Sequence, residues 1–142
     1  MSRQRAAGIF LLLGVAILCL QFAGGGGILA SSPFGVPEFA TLIVEESAKR
    51  GELPKEQYAI LMSTKAGSVR DYCESKGKLR LFDLSPDGDL SKVEPFWKAG
   101  VETAKGLTPP YMVAGAVGHR YVGPLPKDTA AALAILKPMG GN

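Results

Sequence analysis

Cysteine and histidine are nearly missing from this 142-residue chain: Cys19, Cys73 and His119 are all there are. Cys19 falls inside an apolar run, so the rest of the chain holds one thiol. That portion cannot form an internal disulfide, and cysteine spacing offers no zinc site. A lone Cys73 reads as a small core hydrophobe, since free cysteine is usually buried and inert. His119 lies in or beside a turn, and no serine and carboxylate are spaced around it as a nucleophilic triad requires. No Gly-x-Gly-x-x-Gly and no P-loop occur, so no cofactor and no metal are implied. Charge of one sign is also lacking. Of 16 basic residues against 13 acidic, Arg3 and Arg5 precede the apolar run and leave 14 against 13. That balance gives no electrostatic footprint for nucleic acid.

What the sequence does have begins at its N-terminus. Residues 1–5 are short and basic, and residues 6–23 run apolar with only Gln21 polar. As a helix, 18 residues span about 27 Å, close to the hydrocarbon thickness of a bilayer. Arg3 and Arg5 would stay in the cytoplasm and the rest of the chain would face outward. Two readings stand. An uncleaved single-pass signal anchor is favoured, because no good Ala-x-Ala site follows; a cleaved signal segment, leaving a secreted or periplasmic protein, is the alternative. Residues 24–37 (Gly24 to Gly27, then Ser31-Ser32-Pro33-Phe34-Gly35-Val36-Pro37) read as a linker, flexible and then stiffened by proline. The domain boundary is expected near Pro37, with residues 38–142 as the domain.

Within it, Phe39 to Val44 is a continuous apolar run suited to a central strand buried on both faces. A polar loop follows through Glu52. Pro54 fits the first turn of a helix, and Tyr58, Leu61, Met62, Val69, Tyr72 and Cys73 recur at helical steps, broken at Gly67-Ser68. Leu79 to Leu84 is a second strand. Ser85-Pro86-Asp87-Gly88-Asp89 is turn chemistry, without the third acidic position and distal glutamate of a calcium loop. Ser91 and Glu94 have the spacing of a capping box for a helix carrying Phe96, Trp97, Val101 and Ala104 on one face, with Trp97 against the sheet and Gly106 at the end. Tyr111 to Gly123 reads as a strand pair turning at Gly118. Asp128 or Thr129 caps a last helix that Pro138 and Gly140-Gly141 end.

The resulting order is strand, helix, strand, helix, strand, strand, helix. Alternation implies parallel pairing and right-handed crossovers, with the terminal hairpin as an antiparallel edge. This order, together with Thr108-Pro109-Pro110-Tyr111 before the third strand, resembles the thioredoxin-like superfamily. The resemblance implies an α/β, βαβαββα three-layer sandwich and a cis-proline at Pro110. It also implies that the surface between the Glu45–Lys55 loop and Pro110 is where members hold extended peptide. The departure bears on function: thiol oxidoreductases of the family carry Cys-x-x-Cys at the first helix N-terminus, and Glu45 through Gln57 contain no cysteine. Usual redox catalysis is not available to this chain.

The expectation is therefore a membrane-anchored, extracytoplasmic thioredoxin-like domain without redox activity, serving as a binding or structural module. No catalytic residue is assigned. Glu45, Glu46, Thr108, Pro110 and Tyr111 are the candidate binding residues, and a protein or peptide is the candidate partner. Two alternatives stand beside this: a divergent thiol-dependent or other enzyme on the same fold, and a small membrane protein acting mainly through its N-terminal helix.

Overall fold

A computed structural model describes residues 32–84 and 89–141. The N-terminal apolar run and most of the Ser85–Asp89 turn lie outside the described residues. Among those residues, no helix is long and apolar enough to cross a membrane.

The architecture is mixed α/β, built on a four-stranded sheet in the order β2-β1-β3-β4. Strand β1 (Ala40–Glu45) is buried at every position, as its unbroken apolar sequence predicts for a strand covered on both faces. It runs parallel to β2 (Lys78–Asp83), with Leu42 opposite Arg80 and Glu45 opposite Asp83. On its other side it pairs antiparallel with β3 (Tyr111–Ala116). A tight turn at Val117-Gly118, with Gly118 at φ 72°, leads from β3 into β4 (His119–Pro124). Only Glu45–Asp83 and its neighbours follow the parallel pairing expected from alternation. The hairpin is not merely an edge addition. β3 is buried throughout and takes a central place beside β1, while the half-exposed β4 forms the edge.

The crossover from β1 to β2 contains a 3-10 helix (Ser47–Glu52), α1 (Lys55–Met62) and α2 (Val69–Lys76). The break expected at Gly67-Ser68 is present: Gly67 takes φ +81° and Ser68 Oγ accepts from Asp71 N at 3.2 Å. Asp71 returns the contact by accepting from Gly67 N at 3.0 Å, which closes a reciprocal cap. The apolar face differs from the expected one. Ile60, Leu61, Val69 and Cys73 are buried, whereas Tyr58 and Met62 stand exposed. The break rotates the two short helices independently, so one helical period does not run through both.

After β2 comes α3 (Pro95–Thr103) and, at the end, α4 (Thr129–Gly140). The Ser91/Glu94 capping box does not form. Glu94 occupies the cap position without a side-chain bond, Pro95 opens the helix, and Ser91 N is held by Asp89 Oδ1 at 2.9 Å. Proline disfavours helical backbone at the residue before it, and Glu94 is extended (φ −56°, ψ 141°), so the helix cannot begin at Lys92 as the box requires. Asp128 caps α4 as expected, accepting from Ala131 N at 2.7 Å. The helix then runs through Pro138 to Gly140 instead of ending there. The Tyr72 hydroxyl donates to the carbonyls of Lys137 (3.4 Å) and Gly141 (3.0 Å), pinning that last turn against α2.

Two cores sit on the two faces of the sheet. Ile43, Met112 and Ala114 pack with residues of α1, α2 and α4; Leu42, Val44, Tyr111 and Val113 pack with α3. Strand alternation accounts for the division. The second core also contains Phe34, so packing begins before the boundary read near Pro37. Phe34 is 4% exposed, stacks on Phe96 at 5.2 Å and meets Trp97 edge-on at 5.6 Å. The side chains of this segment pack so close that a Cβ at Gly100 would lie 2.5 Å from Phe34 Cε1, and one at Gly115 would overlap the Pro33 ring. The aromatic ring, not the proline content, decides where this segment goes: burying a phenylalanine outweighs the linker-like composition around it.

Candidate functional site

The carboxyl ends of the two parallel strands, where open α/β sheets commonly hold ligands, are stitched together by polar contacts. Leu84 N donates to Glu45 O at 2.8 Å. Ser47 N donates to Asp83 Oδ1 at 2.9 Å, and Ser47 Oγ donates to Asp83 Oδ2. These donors hold the Asp83 carboxyl below its ordinary range, with Arg50 adding to the effect.

Glu45 is 3% exposed although it ends a strand. It is compensated by Arg50, which donates from Nε to Oε2 at 2.9 Å and from Nη2 to Oε1, a two-pronged carboxylate contact. The 3-10 helix makes this possible, since its tight turn brings Arg50 back over the strand that it has just left. Glu45 in turn holds the guanidinium firmly in its charged form. Glu46 points outward to Lys49 at 2.7 Å, a solvated pair of little energetic weight.

Pro110 enters β3 through a cis Pro109–Pro110 peptide bond. Its carbonyl accepts from Leu125 N at 3.1 Å. The Leu125 carbonyl accepts from Gln57 Nε2 at 3.0 Å, and Gln57 also reaches Pro126 O at 3.2 Å. One side chain on the first turn of α1 therefore fixes the loop after β4, which in turn fixes Pro110. Thr108 is exposed and Pro110 half-buried, beside this arrangement.

The sheet does not bring all five sequence-derived residues to one surface. Tyr111 pairs with Val44 and shares its face, packing with α3. Glu45, the next residue along β1, points to the opposite face. Burial pushes the Tyr111 phenol up from its ordinary value. Glu46, Thr108 and Pro110 remain accessible at the strand ends, whereas Glu45 is engaged in its ion pair. Arg50, Ser47, Asp83 and Gln57 were not singled out from the sequence. Their roles depend on a 3-10 turn and on contacts between residues 36 to 69 positions apart, and no local spacing signals those.

Cys73 lies at the first core, donating from its thiol to Thr41 Oγ1 at 3.6 Å. Burial pushes the thiol up from 9.0 to about 11, which disfavours the nucleophilic thiolate. His119 is exposed at the start of β4. Among the described residues, no group of three or more His, Cys, Asp and Glu side chains could hold a metal ion. No family model, no curated protein and no solved structure matches the chain.

Proposed function

We propose that the chain is a thioredoxin-like module that binds an extended protein or peptide segment without thiol chemistry, held outside the membrane by its N-terminal apolar run. The observation that carries this reading is the sheet order β2-β1-β3-β4 with one parallel and two antiparallel pairings. A βαβ half and a ββα half joined in one mixed sheet support the reading. The Glu45–Lys55 segment, the other half of the proposed face, holds no cysteine. An extended peptide laid there would use backbone hydrogen bonds for affinity and the side-chain surfaces of Thr108, Pro110 and the 3-10 helix for selection. Cys73, buried and with its thiol pushed upward, counts against the thiol-enzyme alternative.

The test is selection of peptides from a random displayed library on the full-length protein, followed by amide-shift mapping of the selected sequences. Shifts centred on Glu46, Lys55, Thr108 and Pro110's neighbours support the reading. Selected peptides that map to α3 instead, or a failure to select any, would overturn the binding face. Carbonate extraction and protease protection of membranes carrying the chain test the anchor and its orientation separately.

A further inference from the structure

The end of the sheet away from Pro110 carries its charge differently. Lys78, Ala40, Gly115 and Arg120 stand opposite one another in a single row across all four strands. The row puts an exposed cation on each edge strand. Lys76 ends α2 just before it, and the last turn of α4 brings Lys137 to the same end, where a Cβ at Gly140 would lie 3.3 Å from that of Lys76. All four cations are exposed, and none forms an ion pair among the described residues. At the other end of β1, by contrast, Lys49 and Arg50 are engaged by Glu46 and Glu45. Against the row stand Glu38, just before β1, and Glu94, two residues from the Phe96 ring that Lys78 Nζ overlies at 4.7 Å. Glu74 on α2 is held by Arg70. Positive charge is therefore in excess at this end.

The turn beyond the row presents Val117, which is 69% exposed, with the exposed His119 close by. Val117 N donates to Pro37 O at 3.1 Å, and Ser32 and Pro33 lie against Gly115. The described chain thus enters the fold at this same end. Ser32 follows Ala23, the last residue of the apolar run, by nine residues. A chain advances at most about 3.6 Å per residue, so the two are no more than about 32 Å apart. An isolated exposed valine is ordinary. Here the valine tips a turn, has cations around it, and sits on the end to which an apolar run of bilayer length is attached. That combination fits a membrane–water interface, where cations meet anionic headgroups and an apolar tip reaches the acyl boundary.

We infer that this end of the domain docks on a bilayer surface carrying anionic lipid, with Lys76, Lys78, Arg120 and Lys137 at the headgroups and Val117 in the interface. The inference rests on the anchored reading proposed above and adds to it an orientation and a lipid class. The six residues of β1 rise about 20 Å. Docking by this end therefore lifts Glu46, Thr108 and Pro110 off the bilayer and leaves the peptide face open.

The experiment reconstitutes the full-length chain into vesicles of phosphatidylcholine alone or of an equal mixture with phosphatidylglycerol. Cys19→Ser leaves the buried Cys73 as the one native thiol, and an environment-sensitive dye is placed at Val117→Cys or, as the distal control, at Thr108→Cys. Lipids spin-labelled near the headgroup should quench the dye at Val117→Cys in the phosphatidylglycerol vesicles and spare the one at Thr108→Cys. Lys76→Gln combined with Arg120→Gln should lower the docked-to-free ratio at least about tenfold, since each cation near an anionic surface contributes about a factor of five. Salt at about 1 M, where the Debye length falls to about 3 Å, should do the same without any substitution. Equal quenching in the two vesicle types, equal quenching at the two positions, or indifference to both salt and the double variant would each overturn docking. Carbonate extraction of the same vesicles separates the two readings. A chain that stays embedded without these signals overturns docking alone, whereas a chain that is stripped off overturns the anchor and docking together.

Discussion

Arg50 grips Glu45 with two donors, from a residue one-third exposed to a carboxylate almost fully buried. The two ends of this contact are therefore unequal. Losing the arginine strands a buried charge, whereas neutralising the glutamate leaves an arginine that water can reach. Arg50→Met should cost about 2 kcal/mol, below the full penalty of a broken buried pair because the arginine side is partly solvated. Glu45→Gln should cost less. Arg50→Lys should not rescue, since an ammonium cannot reproduce the two-pronged geometry. Chemical denaturation of the three variants checks the ranking; an Arg50→Met protein as stable as the native one would remove the pair from the account of the fold.

Ser47 and Asp83 tie the two parallel strand ends together, and the tie is pH-dependent. Because the folded-state pKa of Asp83 is depressed below 3.8, its contribution is fully present above that unfolded value and is lost as pH falls through the folded one. The stability gap between the native chain and Asp83→Asn should be constant from pH 7 to about 5 and narrow progressively as the pH falls below about 4. Urea midpoints across that range provide the measurement. A gap that does not narrow at all as the pH is lowered below 4 would assign the effect of Asp83 to packing.

Cys73 titrates in the opposite window. Its folded value of about 11 stands above the usual 9.0, so its contribution is complete below pH 9 and disappears as pH rises towards 11. Relative to Cys73→Ala, the native chain should lose stability between pH 9 and 11. At pH 8, peptide mapping after iodoacetamide treatment should find Cys73 unmodified in the folded protein and alkylated in urea. Rapid native-state alkylation would contradict the inert assignment.

Phe34 makes the segment before β1 part of the fold. Phe34→Ala should cost about 3 kcal/mol, as for other buried aromatic truncations. Trp97, the only tryptophan and an edge-on neighbour of Phe34, should report the change as a red-shifted emission. Gly100→Val should produce the same signature by a different route, forcing Phe34 off its site. Unchanged emission and stability in both variants would return Ser32–Pro37 to the status of a linker.

The strands and the helix caps were legible because each depends on neighbours in sequence. Phe39 to Val44 announces a doubly covered strand by unbroken apolarity; Gly67-Ser68 announces a break and Asp128 a helix start by residue type. The Ser91/Glu94 box looked equally clear and failed, because Pro95 disfavours helical backbone at Glu94 before it, so the helix starts at Pro95 and Glu94 is left outside as its cap. Pro138 pointed to a helix end, yet Tyr72 holds that end in place from 65 and 69 residues away.

By itself, then, the sequence determined the mixed α/β class, most element positions and the absence of a paired-thiol centre, since these rest on local periodicity and residue type. Tertiary structure alone decided that β3 lies beside β1, that Phe34 belongs to the core, and that Glu45 and Tyr111 serve opposite faces. The reason is geometric. A strand's period of two tells which residues share a face, but only the pairing register and the packed helices determine what each face meets.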